Sequence, residues 1–306
     1  MKFMGIGDEA ANTIDGQIAA TRKLGWKNIE MRGVEVPGYP KANLHQIPEA
    51  AFDIAAQKLD DANLHVYCFG STLMNWSTRW TDPFPPIREE VRSIILRMQR
   101  LQSRFVRIMS FKPEDEQDTI PPEVFRRVNE VTRMFLDAGI QPLHENCMNH
   151  GGMSWRHALE LLDHCPGLQW VFDTANPAFN PDRSKPKPWP RQDPLEFWHH
   201  LRDHVGHIHI KDASWNAGKN DADYHWPGEG EGRVREILTD ALAHGYDAGI
   251  SIEPHMVVVF HDAKAVADEA VMQRNFIDYG WRVENMIAEI QGQLASVNHA
   301  EFTRLS

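Results

Sequence analysis

Cysteine is scarce. Only Cys68, Cys147 and Cys165 occur in 306 residues, far apart and with no CxxC pair. That number and spacing exclude a disulfide framework and a zinc ribbon, and predict a reducing, cytoplasmic setting. Long apolar runs are also missing. The stretch Met1-Lys2-Phe3-Met4-Gly5-Ile6 is too short for a signal sequence, and no segment approaches the roughly 18 apolar residues of a membrane helix, so neither export nor a membrane span is expected. Positive charge is in deficit: 32 Lys+Arg against 43 Asp+Glu give a formal net charge of −11. Such a balance argues against a nucleic-acid partner, because phosphate backbones repel an acidic surface. The glycine fingerprint of a dinucleotide site is absent after the first strand, and no phosphate loop of the G-x-x-x-x-G-K-[ST] type occurs.

What is present is an ordinary globular composition, 42% hydrophobic and 25% charged, arranged as short β-type runs alternating with longer amphipathic segments. Eight candidate strands stand out: Phe3–Gly7, Asn28–Arg32, Leu64–Phe69, Phe105–Ser110, Gln141–Glu145, Gln169–Asp173, Gly206–Ile210 and Gly249–Glu253. Between them, Ile87, Val91, Ile94, Met98 and Leu101 recur at helical spacing, as do Val124, Val128, Val131 and Phe135. These stripes are read as faces packed on a sheet. Pro121-Pro122 precedes one predicted helix, and Gly139 and Gly245 precede strands, where breakers belong.

Eight such units predict an α/β fold, a closed (β/α)8 TIM barrel forming one domain over 1–306, in preference to an open doubly wound sheet. A helical extension follows the last strand. Its Val271, Phe276, Trp281 and Ile287 suit closure of the barrel or the seat of a neighbouring subunit, hence a possible homo-oligomer. The irregular segments Ser71–Pro86, Pro177–Pro194 and Ala213–Arg233 follow strands, on the face where barrel enzymes carry their sites.

That face is dense in polar residues. Strand five ends in His144-Glu145-Asn146, strand six in Phe172-Asp173-Thr174-Ala175-Asn176, strand seven in His207-Ile208-His209-Ile210-Lys211-Asp212 and strand eight in Ile252-Glu253-Pro254-His255. Glu145, Asp173, His209 and Glu253 form an oxygen-rich set with one nitrogen, suited to one divalent ion: Mn²⁺ first, with Mg²⁺, Co²⁺ or Zn²⁺ as alternatives. Asp173 and Asn176 also suit the capping of a following turn. His207 and His209 share a strand face, and His209 is preferred as ligand because it lies nearer the carboxyl end. Lys211 is placed to hold an oxyanion or a substrate hydroxyl. Glu229, in the run Pro227-Gly228-Glu229-Gly230-Glu231-Gly232, is a candidate substrate contact, as is Trp76. Trp80, Trp215 and Trp226 share the post-strand loops with Trp76 and suit sugar stacking or loop anchoring. His144, His150 and His255 flank the ligand set as acid/base or supporting groups.

Together these motifs resemble the xylose-isomerase-like barrel superfamily of sugar isomerases, epimerases and dehydratases, over nearly the whole chain. The resemblance implies that Glu145, Asp173, His209 and Glu253 bind one metal. It also implies that Glu145 and Glu253 move a proton between the two faces of a carbon beside a carbonyl, through a metal-stabilised enediolate. Asn176 stands where ketose 3-epimerases carry a histidine, and Lys211-Asp212 replaces their usual residues, so simple 3-epimerisation is not implied. The expected partner is a small sugar or keto-sugar. The expected activity is isomerisation or epimerisation. The alternative is a lyase that eliminates a β-substituent from a keto-sugar or oxidised glycoside, with His144 or His150 as the extra acid or base. The superfamily's abasic-site endonucleases are disfavoured by the charge, and a non-catalytic sugar-binding barrel is the contrasting hypothesis.

Overall fold

The structure is a computed structural model that describes residues 1–257 and 268–305. Its strands are β1 (Lys2–Gly5), β2 (Asn28–Met31), β3 (Gly33–Val36), β4 (Tyr39–Asn43), β5 (His65–Phe69), β6 (Phe105–Ile108), β7 (Gln141–Glu145), β8 (Gln169–Asp173), β9 (Val205–Ile210), β10 (Asp212–Asn216), β11 (Asp221–His225) and β12 (Gly249–Ile252). The helices are α1 (Gly7–Ala10), α2 (Ile14–Lys23), α3 (Glu49–Asp61), α4 (Pro85–Leu101), α5 (Pro122–Asp137), α6 (Trp155–His164), α7 (Asn176–Phe179), α8 (Pro194–Leu201), α9 (Val234–Ala243) and α10 (Glu269–Leu305).

Eight strands form one parallel sheet in the order β1-β12-β9-β8-β7-β6-β5-β2. A single bridge, Ile6 to Glu30, brings its two ends together. The result is the predicted (β/α)8 barrel, with α10 as the C-terminal extension. Helices cover the outer face because every strand exposes an apolar side there: Trp170 and Phe172 from β8, Ile208 and Ile210 from β9, Ile250 and Ile252 from β12, all at most 1% exposed. On α5 the stripe Val124, Val128, Val131 and Phe135 is wholly buried, and each such side chain contributes roughly 1.5–3 kcal/mol. Pro122 starts that helix, and Gly139, at φ +75, turns the chain into β7. The other predicted stripe lies on α4, where Ile87, Val91, Ile94 and Met98 are buried.

Two hairpins were not foreseen: β3 with β4, and β10 with β11. The segment Ala213–Arg233, read as irregular, contains all of the second but its first residue, Asp212. Its strands alternate no hydrophobic residues over a long enough run to declare themselves. The first strand is also shorter than expected, since Gly7 already belongs to α1, which carries Asp8 and Glu9 inward. The helical extension closes on the barrel: Phe276, Tyr279, Val283, Ile287 and Ile290 are at most 2% exposed, while Val271 and Trp281 face outward at 38% and 45%. Among the described residues no helix is long and apolar enough to cross a membrane.

Candidate metal centre

The period-two rule puts alternate residues of each strand into the barrel. Its lower interior is apolar, filled by Met4, Tyr67, Cys68, Leu143 and Val171. One layer up, the interior becomes ionic. Glu145 and Asp173 end β7 and β8, His209 is the last residue but one of β9 and Glu253 follows β12, and one ligand atom from each lies within 4.8 Å of the others. All four side chains are buried.

Opposite charges hold these carboxylates. Arg107 Nη1 lies 3.1 Å from Glu145 Oε2, and Arg32 Nη1 donates to Glu253 Oε1 at 2.6 Å. Lys211 Nζ sits 3.0 Å from Asp173 Oδ2 and 3.1 Å from Glu253 Oε2. Burial pushes the Glu145 carboxyl up, but Arg107 and His209 overcome it and hold the group at about 2. Glu253 is likewise driven well below the usual carboxylate range, against burial, by Lys211, His255 and Arg32. Burial wins at Asp173, assisted by the two neighbouring glutamates, and raises it to about 6 despite Lys211. Asp173 serves two ends: its Oδ1 accepts the backbone N–H groups of Ala175 and Asn176 at 2.9 and 2.8 Å, while Oδ2 faces the site. Asn176 Nδ2 lies 3.4 Å from Glu145 Oε1.

The residues fit a divalent ion on one observation above the rest. His209 Nδ1 is buried and makes no hydrogen bond among the described residues. It points between Glu145 Oε1 at 3.7 Å and Glu253 Oε2 at 3.9 Å. Those separations are too long for hydrogen bonds and suit donors gathered around one cation. From the other side of the ring, Nε2 meets both oxygens of Glu30, at 3.0 and 3.2 Å. A carboxylate behind a ligating imidazole orients it and raises its basicity. Burial opposes charge on His209, yet Glu30 and Glu145 raise it to about 10.

Other expected site residues sit elsewhere. His144 alternates with Glu145 and therefore leaves the barrel: its ring packs 4.4 Å from Trp170, between sheet and helix. Burial lowers it to about 3, which keeps it neutral. His207 lies a layer below the site, its Nε2 3.0 Å from Glu30 Oε2, and does not line the cavity above. His150 is buried against the Ser110 carbonyl. Glu229 faces solvent, 3.4 Å from Arg282. Its glycine-rich run cradles a carboxylate instead, because the N–H groups of Gly228, Gly230 and Gly232 all donate to Asp212 at 2.8–3.0 Å. A Cβ on Gly230 would stand 2.4 Å from Asp212 Oδ1. Lys211, Asn176, His255 and Trp76 do line the cavity, and His255 Nδ1 lies 3.0 Å from Glu9 Oε1.

Sequence reasoning missed Glu30, Arg32, Arg107 and Tyr224. The first three alternate inward on or just after β2 and β6, a signal present in the period but overlooked because attention fell on the later strands. Tyr224 comes from the unforeseen hairpin. Burial, with Glu253 nearby, raises its hydroxyl to about 12, so it stays protonated.

The family model for the xylose isomerase-like TIM barrel matches residues 18–275. No curated protein matches the chain. Among solved structures, a D-tagatose 3-epimerase-like protein superposes with TM-score 0.68 at 17% identity, covering 96% of this chain and 100% of that one. The probable 3-DHS dehydratase AsbF from Bacillus anthracis gives 0.62 at 16%, covering 90% and 97%. A xylose isomerase-like TIM barrel protein from Mycobacterium smegmatis, in complex with magnesium, gives 0.62 at 14%, covering 94% and 97%. At such identities the superpositions speak for the fold alone. With the family model spanning most of the chain and the barrel carrying it, this protein belongs to the xylose isomerase-like TIM barrel family.

Proposed function

We propose that the protein is a divalent-metal-dependent enzyme that moves a proton at the carbon beside a sugar carbonyl and completes an isomerisation or epimerisation. The observation that carries the reading is the convergence of two buried, ionised glutamates with Asp173 and the orphaned His209 Nδ1. An ion held by Glu145, Asp173, His209 and Glu253, Mn²⁺ by the hardness of the set, supplies polarisation of the carbonyl and of the charge that develops beside it.

The chain's own residues do the rest. Glu145, fixed by Arg107 and Asn176, is ionised at every working pH and takes the proton. Glu253, fixed by Arg32, delivers a proton to the opposite face only after taking one up from solvent, and Glu145 then releases the proton it abstracted to solvent. Lys211 stays cationic, raised by Asp173 and Glu253 against burial, and its ammonium holds a substrate oxygen that gains charge. The fold is shared with proteins named as an epimerase-like protein and a probable dehydratase. Elimination of a β-substituent is a second reading. Tyr224 bears on it by its place: its ring lies 5.2 Å from His255 and lines the same cavity, where a phenol can donate to a leaving oxygen.

Incubation with a panel of keto-sugars and Mn²⁺ or Mg²⁺ in deuterated water tests both. Deuterium uptake with an intact skeleton supports the first, and loss of water or an aglycone supports the second. Neither, across the panel, overturns both.

A further inference from the structure

The cavity that Glu145, Glu253 and Lys211 line has a volume of about 880 Å³, near the top of the range that encloses drug-sized ligands. A single sugar ring, with about a dozen heavy atoms, fills only part of such a space. The sheet order identifies the wall across from two of the proposed ligands. Asp173 and His209 come from β8 and β9, and β2 and β5 stand four strands from them in the ring of eight, on the opposite side of the barrel. The segments that follow β2 and β5 line the same cavity through Asn43, Gln46 and Thr72.

These three side chains are held together. Asn43 Nδ2 donates to Gln46 Oε1 at 3.0 Å and to Thr72 Oγ1 at 3.1 Å, which joins the end of the β3–β4 hairpin to the loop after β5. The hairpin is anchored in the site. It opens at Gly33, directly after Arg32; Gly33 N donates to Asp8 Oδ2 at 3.0 Å, and Asn43 is the register partner of Gly33. Among the described residues nothing donates to Asn43 Oδ1, and the Thr72 hydroxyl, which accepts from Asn43, donates to nothing. An open acceptor beside an open hydroxyl donor is the complement of a sugar hydroxyl, which donates and accepts at once. None of the three side chains carries charge. The cation two residues away on β4, Lys41, is engaged by Asn12 Oδ1 at 2.7 Å.

We infer that the substrate is a neutral glycoside: one sugar at the carboxylates, joined to a second, hydroxyl-rich unit whose hydroxyls bind Asn43 and Thr72. This rests on the carboxylate end being a sugar-carbonyl site, as proposed above. A site built to hydrogen-bond a hydroxyl discriminates against a ligand that lacks it, because its polar groups are then left unpaired.

The test is calorimetric binding to the Mn²⁺-loaded protein of glucose, methyl glucoside, glucose 6-phosphate and the disaccharides maltose, cellobiose and sophorose. At least one disaccharide binds about ten-fold or more tightly than both glucose and methyl glucoside, the gain expected of two added hydrogen bonds. Asn43→Leu and, separately, Thr72→Val bring that ratio towards one while Mn²⁺ content is unchanged. No disaccharide preference, a preference untouched by both substitutions, or glucose 6-phosphate as the tightest ligand overturns the inference. Proton exchange on small keto-sugars, followed in parallel, separates the two readings. Disaccharide preference without exchange removes the proposed reaction and leaves the glycoside subsite, and exchange without that preference does the reverse.

Discussion

Lys211 and the expected metal claim the same oxygens. Its ammonium already sits on Asp173 and Glu253, so a bound ion must share or displace it, and the two cations repel in a poorly screened interior. Lys211→Met is expected to tighten Mn²⁺ binding by about ten-fold or more, and to lower the Tm of the metal-free protein because buried carboxylates lose a counter-charge. Calorimetry and thermal unfolding with and without Mn²⁺ check both halves; unchanged affinity refutes the competition. Proton counting gives an independent check. His209, raised to about 10 without metal, is protonated at pH 7 and must be neutral to ligate, so binding releases about one proton there. Asp173, at about 6, must also be ionised, so affinity falls as pH drops below that value. Titrations in buffers of different ionisation enthalpy read the proton release directly. Glu30→Gln is expected to weaken metal binding about 10–100-fold by freeing the ring it steadies. Glu145→Gln and Glu253→Gln each reduce deuterium exchange by about 10²–10⁴-fold, measured by NMR on metal-loaded protein.

At the scale of elements, the strands carried most of what could be read in advance. β7 and β8 fall on the expected residues, and the neighbouring strands differ by a residue or two at their ends. Those ends move because pairing stops where side chains turn toward the site: β12 finishes at Ile252, which leaves Glu253 just beyond the ladder. The same period that placed Glu145 inward should have placed His144 outward, and a strict application would have dropped His144 and admitted Arg107 and Glu30. The glycine-rich run was legible as a turn but not as the cradle of Asp212, since three N–H groups converging on one carboxylate is a tertiary fact. The hairpin carrying Tyr224 has no apolar alternation to announce it. For α10, Phe276→Ala removes a ring that packs under Gly5 and against Trp26, and is expected to destabilise the fold by about 3–5 kcal/mol, measured by urea unfolding.

Across the whole molecule, the charge of −11 divides into two populations. Acidic residues on the outer helices lie in solvent or in exposed pairs, such as Glu123 with Arg126, which contribute little. A smaller group is buried at the barrel mouth, where Asp8, Glu9, Glu30, Glu145, Asp173 and Glu253 are each at most 4% exposed. The net figure does not say where a cation would sit; the barrel's inward periodicity gathers the carboxylates of the proposed site. The barrel itself meets end to end at one bridge, Ile6 with Glu30, and Glu30 is also the residue behind His209. Mechanical joint and chemical tuner are therefore one residue. An ion that pulls on the imidazole pulls on the joint, and backbone amides of β1 and β2 are expected to exchange hydrogen more slowly once Mn²⁺ is bound, by an amount that mass spectrometry can follow. In that sense the barrel is a clasp, and the proposed metal would be what keeps it fastened.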